Sequence, residues 1–146
     1  MIKEGWADGY ATIADDVMTL SFASGTDAYS PDVSLKNGTK YLIKMDIKSN
    51  ADTETGCWVY ADTSRVTADQ SWDIIFAGAT VDGTATIDSG IISKIGSTWS
   101  TVSLVYTPAK DILCLRFTDW NKKGLQIKNF TISEVVNTKT FNGSIK

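Results

Sequence analysis

From Tyr41 to Lys48 the chain alternates with a period of two. Tyr41, Ile43, Met45 and Ile47 fall on one face, and Lys44, Asp46 and Lys48 on the other. Successive side chains of an extended backbone point to opposite sides, so this pattern predicts a half-buried β-strand. Asn37-Gly38 precedes it as a turn signal, because both residues tolerate positive φ. Met18, Leu20 and Phe22 alternate with Thr19 and Ser21, and Tyr10 to Ala14 reads as a partner strand joined through a tight turn at Asp15-Asp16. Val102, Leu104 and Tyr106 share a face until Pro108, which cannot donate to a ladder, ends the strand. Leu113, Leu115 and Phe117 lie opposite Ile112, Cys114 and Arg116. From Leu125 to Glu134 the phase changes: Leu125 and Ile127 have one parity, Phe130 and Ile132 the other. A bulge near Lys128-Asn129, adding one residue, would keep both pairs facing inward. Gly56 to Ala61 and Trp72 to Gly78 complete a set of roughly eight or nine expected strands.

No stretch carries a sustained helical stripe, and Asp62 to Gln70 is the best place for a single helical turn. The residue bias agrees: 14 Ile, 9 Val and 18 Thr stand against 7 Leu. Branched β-carbons lose rotamer freedom in a helix and fit a pleated surface. The expected class is therefore all-β, an antiparallel sandwich or barrel. There are no internal repeats and no linker-like stretch. A module over residues 1–135 is expected, followed by a polar tail from Val136 to Lys146 that is either a frayed end or an arm docking on a neighbour.

Composition narrows the chemistry. The chain has 146 residues with 42% hydrophobic and 21% charged, enough for one buried core. Fourteen Lys+Arg against 17 Asp+Glu give a net charge of −3 with no basic run. A binder of phosphate backbones needs clustered cations, so nucleic acid is not an expected partner. No apolar run approaches the ~20 residues that span a bilayer, so membrane insertion is not expected. Met1 to Gly9 holds Glu4, Trp6 and Asp8 and shows no secretory apolar core, so synthesis in the cytoplasm without a signal peptide is expected. Histidine is absent, which removes Ser-His and Cys-His pairs and His-ligated zinc. Cys57 and Cys114 are too few for a disulfide framework; they read as core thiols, or as a single bridge. Carboxylate pairs among 14 Asp and 3 Glu arise by chance, and Glu4, Glu54 and Glu134 are scattered, so no enzyme is expected. Asp15-Asp16 and Asp82 read as solvated turn residues.

The order of Gly5-Trp6, the hairpin into Val17–Phe22, Gly25-Thr26-Asp27-Ala28-Tyr29 and Asn37-Gly38-Thr39-Lys40-Tyr41 is one half of a recognisable pattern. Thr98-Trp99-Ser100-Thr101-Val102 and the closing Leu113–Phe117 and Gly124–Ile132 segments are the other half. Together, from Gly5 to about Val135, they resemble the jelly-roll carbohydrate-binding modules of family 4, 9 and 22 type. The resemblance implies a two-sheet antiparallel jelly-roll sandwich, glycan binding without catalysis, and structural positions for Trp6 and Trp99. It also implies a structural calcium held by an Asp of the closing strand with an acidic residue near the N-terminus, such as Glu4. This chain has Lys128 at the Asp position, and an ammonium repels a dication, so no calcium or other cofactor is expected.

Sugars are bound by aromatic faces against pyranose C–H groups, each contact worth on the order of 1 kcal/mol. Trp58 and Tyr60, two apart in a strand, share a face opposite Cys57, Val59 and Ala61, and form the best platform, unless they pack beneath a loop or a partner subunit. Trp72 and Trp120 are candidate rim contacts or loop anchors; Arg116 is a candidate hydroxyl donor or half of a salt bridge. The first functional expectation is a non-catalytic module contacting a glycan or cell-surface polysaccharide, displayed on a phage virion (capsid decoration, fibre or baseplate) or another extracellular assembly. The alternative is a structural virion protein, in which the aromatic surface and tail meet neighbouring subunits, with a homo-oligomer as one form.

Overall fold

The computed structural model describes residues 11–20, 27–119 and 121–136. The expectations for Glu4, Trp6, Tyr10, Phe22 and Trp120, and for the tail beyond Val136, fall outside these residues.

Two antiparallel sheets face each other as a jelly-roll sandwich. One holds, in spatial order, β1 (Ala11–Ala14), β2 (Val17–Leu20), β11 (Leu125–Glu134), β4 (Tyr41–Ser49), β9 (Ser100–Tyr106) and β6 (Thr80–Asp82). The other holds β3 (Asp27–Tyr29), β10 (Cys114–Thr118), β5 (Thr55–Asp62), β8 (Ile91–Ile95) and β7 (Thr86–Asp88). The alternation of β4 is realised as written: Tyr41, Ile43, Met45 and Ile47 are buried between the sheets. From the facing sheet come Cys57, Val59, Ile92, Leu115 and Phe117, and Phe117 meets Phe130 edge-on at 5.8 Å between centroids. Each fully buried aliphatic side chain contributes roughly 1.5–3 kcal/mol relative to exposure.

Two local devices set the register. Asp15 and Asp16 take φ of 52° and 63°, the doubly left-handed geometry of a two-residue hairpin that matches strand twist. In β11, Lys128 pairs with Asp46 but Thr131 with Lys44, so one extra residue is absorbed, with Asn129 at φ 54°. Ile127 and Phe130 both end fully buried on either side of this bulge.

The structure corrects the strand inventory in two places. There are eleven strands among the described residues rather than eight or nine, the additions being β3, β6, β7 and β8. Thr80–Asp82 and Thr86–Asp88 each carry one apolar residue, so no period can repeat there. Conversely, 72–78 is not a strand: only Ile74 bridges Tyr60, and the Ile75 N–H donates to the Val59 carbonyl. This run is part of a strap, residues 63–77, lying across the five-stranded sheet, with a short 3-10 turn at Thr67–Asp69 inside the region expected to be helical.

Candidate functional site

The outer face of the five-stranded sheet carries the predicted site residues, but not all on an open surface. Trp58 and Tyr60 do share the face of β5 opposite the core residues Cys57, Val59 and Ala61. Trp58 is half-buried, whereas Tyr60 is only 5% exposed. The strap covers Tyr60: the Trp72 indole meets its ring edge-on at 6.0 Å, and the Arg116 guanidinium lies 4.1 Å from its centroid. Tyr60 is therefore a support for Trp72 rather than an exposed half of a platform, which corrects the expectation of an open Trp58–Tyr60 pair.

Arg116 takes the salt-bridge role. Its Nε donates to Asp62 Oδ2 at 2.9 Å, its Nη1 to Asp27 Oδ1 at 3.3 Å, and its Nη2 to the Ser71 carbonyl. It is fully buried, so the expectation of a hydroxyl donor in a cleft does not hold. Burial pulls the guanidinium pKa down, but the hydrogen bond and charge of Asp62, followed by those of Asp27, outweigh it, and the net shift is upward. The Ser71 N–H donates to Asp62 Oδ1 at 2.8 Å, and Arg65 pairs with Asp32 at the strap's other end. These contacts hold Trp72 in place with 69% of its surface exposed.

Where the strap ends, the sheet face opens into a groove of about 280 Å³. Trp58 and Ile91 form its apolar part; Glu54, Ser93, Lys94 and Asn121 supply its polar groups. Gly56 keeps the floor low, since a Cβ there would touch the Trp58 ring at 3.5 Å and an Ile91 methyl at 3.7 Å. Lys94 stands at a bulge: Thr55 pairs with Ile95 but Cys57 with Ile92, and Lys94 has φ 53°. The Asn121 wall is fixed by Asp119, a buried carboxylate. It accepts from Thr55 Oγ1 at 2.7 Å and from the N–H groups of Asn121, Lys123 and Gly124 at 2.9, 3.0 and 2.9 Å. Trp120 lies outside the described residues, immediately before Asn121 in the chain.

The groove brings the Trp58 indole together with a carboxylate, an ammonium, an amide and hydroxyl groups, a set of side chains that suits a polyhydroxylated ligand. Among the described residues Glu54 is the one carboxylate lining the groove. The thiols are free and buried: burial pushes Cys57 far above the thiolate range and Cys114 up to about 11. A calcium site built on the closing strand does not fit this chain. The Lys128 ammonium lies 4.3 Å from the Trp99 centroid, and the neighbouring Asp46 carboxylate accepts from Thr101 and Asn129. Among the described residues no three metal-ligating side chains cluster.

Ile91, Ser93, Lys94 and Asn121 were not singled out from the sequence as binding residues, and Glu54 was considered only as a carboxylate. The first three belong to β8, whose pairing with β5 is non-local, and only that pairing brings them beside Trp58.

No protein-family model matches the chain, and a search of curated proteins found no match. Solved structures do match in fold. A family 4 carbohydrate-binding module superposes with a TM-score of 0.60 at 17% identity, over 87% of this chain and 76% of that one. The CBM22-1–GH10 modules of endo-1,4-β-D-xylanase 10B from Clostridium thermocellum, complexed with xylohexaose, give 0.62 at 19% identity; 92% of this chain is covered, but only 27% of that larger chain. The N-terminal cellulose-binding domain of β-1,4-glucanase C from Cellulomonas fimi gives 0.54 at 11% identity, over 91% and 90% of the two chains. The chain thus has the jelly-roll fold of carbohydrate-binding modules.

Proposed function

We propose that this chain is a non-catalytic glycan-binding module that receives a neutral polysaccharide in the Trp58 groove. The observation that carries the reading is the half-buried indole of Trp58 on the groove floor, ringed by Glu54, Ser93, Lys94 and Asn121. The xylohexaose-bound and cellulose-binding proteins that share the fold support a β-linked glycan as the ligand class. Trp72, exposed along the same face, serves as an outer contact for a chain longer than the groove, with Arg116 as the support of Trp72. Native gels containing soluble xylan or hydroxyethylcellulose test this. The wild type is retarded by at least one, and Trp58→Ala weakens that affinity about tenfold, equivalent to ~1.4 kcal/mol, with the melting temperature moved by no more than a few degrees. Equal retardation of both proteins counts against the groove.

The exposed Trp72 and Val66, both on the strap, favour a second reading in which this surface meets a protein neighbour in a virion or another extracellular assembly. Under that reading Trp72→Ala disrupts a defined oligomer or its attachment to a shell, while gels containing glycan retard neither protein.

A further inference from the structure

The outer face of the six-stranded sheet carries a second constellation, on the opposite side of the sandwich from Trp58. Antiparallel pairing sets Lys48 beside Gln126 and Asp46 beside Lys128. The Lys128 Nζ lies 4.3 Å and the Lys48 Nζ 5.6 Å from the centroid of the Trp99 ring. Two ammonium groups therefore converge on one half-buried indole, in a chain whose net charge is −3. Among the described residues no carboxylate lies within 4.0 Å of either. Asp46, the nearest acid in register, is already engaged: Oδ1 accepts from Thr101 Oγ1 at 2.6 Å and Oδ2 from Asn129 Nδ2 at 2.8 Å. Asp82 lies one strand further out, opposite Thr101. Beside the indole the face sinks into a shallow depression of about 440 Å³ lined by Lys44, Asp46, Thr101, Asn129 and Thr131.

Each ammonium gains from the indole quadrupole, but the two repel each other, and among the described residues no acid forms an ion pair with either. An anion placed between them removes that repulsion. The carboxylates on the face and the small number of lysines do not suit a phosphate polymer, which needs several clustered cations. A flat indole next to a hydroxyl-, amide- and carboxylate-lined depression suits a pyranose. We propose that Lys48, Trp99 and Lys128 form a second site, for the carboxylate-bearing units of an acidic polysaccharide of uronates. The uronate carboxylate accepts from the two ammonium groups as they swing off the ring, the sugar C–H face takes their place on Trp99, and its hydroxyls reach the Asp46–Asn129–Thr131 depression.

The test is native electrophoresis in gels containing polygalacturonate, with xylan gels run in parallel. The wild type is retarded by polygalacturonate, less so as salt is raised. The Lys48→Gln/Lys128→Gln double variant loses at least tenfold in that affinity, and Trp58→Ala keeps it. A Lys48→Arg/Lys128→Arg variant retains both charge and retardation, which separates a lost site from a lost fold, and thermal unfolding of each variant checks the same point. No retardation of the wild type, or equal retardation of the glutamine variant, overturns the site. Loss in Trp58→Ala with retention in the glutamine variant also overturns it, by moving the acidic sugar to the groove. The xylan result reports on the groove separately.

Discussion

Arg116 shows how one side chain can hold several elements at once. Its guanidinium joins β10 to Asp62 of β5, to Asp27 of β3 and to the Ser71 carbonyl of the strap, while supporting the Tyr60 and Trp72 rings. Breaking a buried pair by removing one partner leaves the other charge desolvated and costs about 3–5 kcal/mol. Arg116→Met is therefore expected to lower stability to urea by that amount and to release Trp72, seen as a red-shifted tryptophan emission. A change below ~1 kcal/mol with unmoved emission contradicts the network's role. The thiols give a second prediction at this scale. Both are held protonated above their ordinary value of 9.0 by burial, Cys114 up to about 11 and Cys57 further. The unfolded chain releases these protons first as pH rises, so it binds fewer protons than the native state above pH 9 and stability declines there. At pH 8 a disulfide reagent should modify neither thiol until denaturant is added. Rapid labelling of the native protein would mean that the thiols are not sealed.

At the scale of elements, β2, β4, β9 and β11 were legible in the sequence because each repeats an apolar residue at every second position, and β1 as the partner of β2 across the Asp15-Asp16 turn. The β11 bulge was legible too, as a change of parity between Ile127 and Phe130. What hid β6 and β7 is their length, three residues each. What hid the strap is that 72–78 is as apolar as a strand yet spends its apolar groups on Tyr60 and the core edge rather than on a ladder. That also explains why every residue of β10 is buried although its sequence alternates: one side faces the core and the other lies beneath the strap. The candidate site was half legible for the same reason. Trp58 follows from its own strand, whereas β8 and the 119–124 loop reach the groove only through long-range pairing. One turn makes a sharp prediction. Gly83 sits at φ 136°, and a Cβ there would come within 2.5 Å of Ser100 Oγ and 2.8 Å of its Cα. Gly83→Ala must push the β6 end away from β9, at an expected cost of roughly 1–3 kcal/mol. An unchanged unfolding midpoint in urea contradicts this close approach.

For the molecule as a whole, the sandwich places two aromatic sites back to back. Trp58 with its mixed polar rim lies outside the five-stranded sheet, and Trp99 with two ammonium groups lies outside the six-stranded one. Packed cores transmit little between such faces without a two-state element, so variants on one face are expected to leave binding at the other additive within ~0.5 kcal/mol. A double-mutant cycle of Trp58→Ala and Lys128→Gln, read by retention on each polysaccharide, checks that independence. Glycan binding in the Trp58 groove is read residue by residue in a two-dimensional nuclear magnetic resonance titration with xylohexaose, or with a cello-oligosaccharide of equal length. The indole N–H resonance of Trp58, assigned by its loss in Trp58→Phe, should shift saturably together with the backbone signals of Ser93, Lys94 and Asn121. Saturable shifts confined to residues away from β5 and β8, or none with either sugar at millimolar concentration, contradict the account.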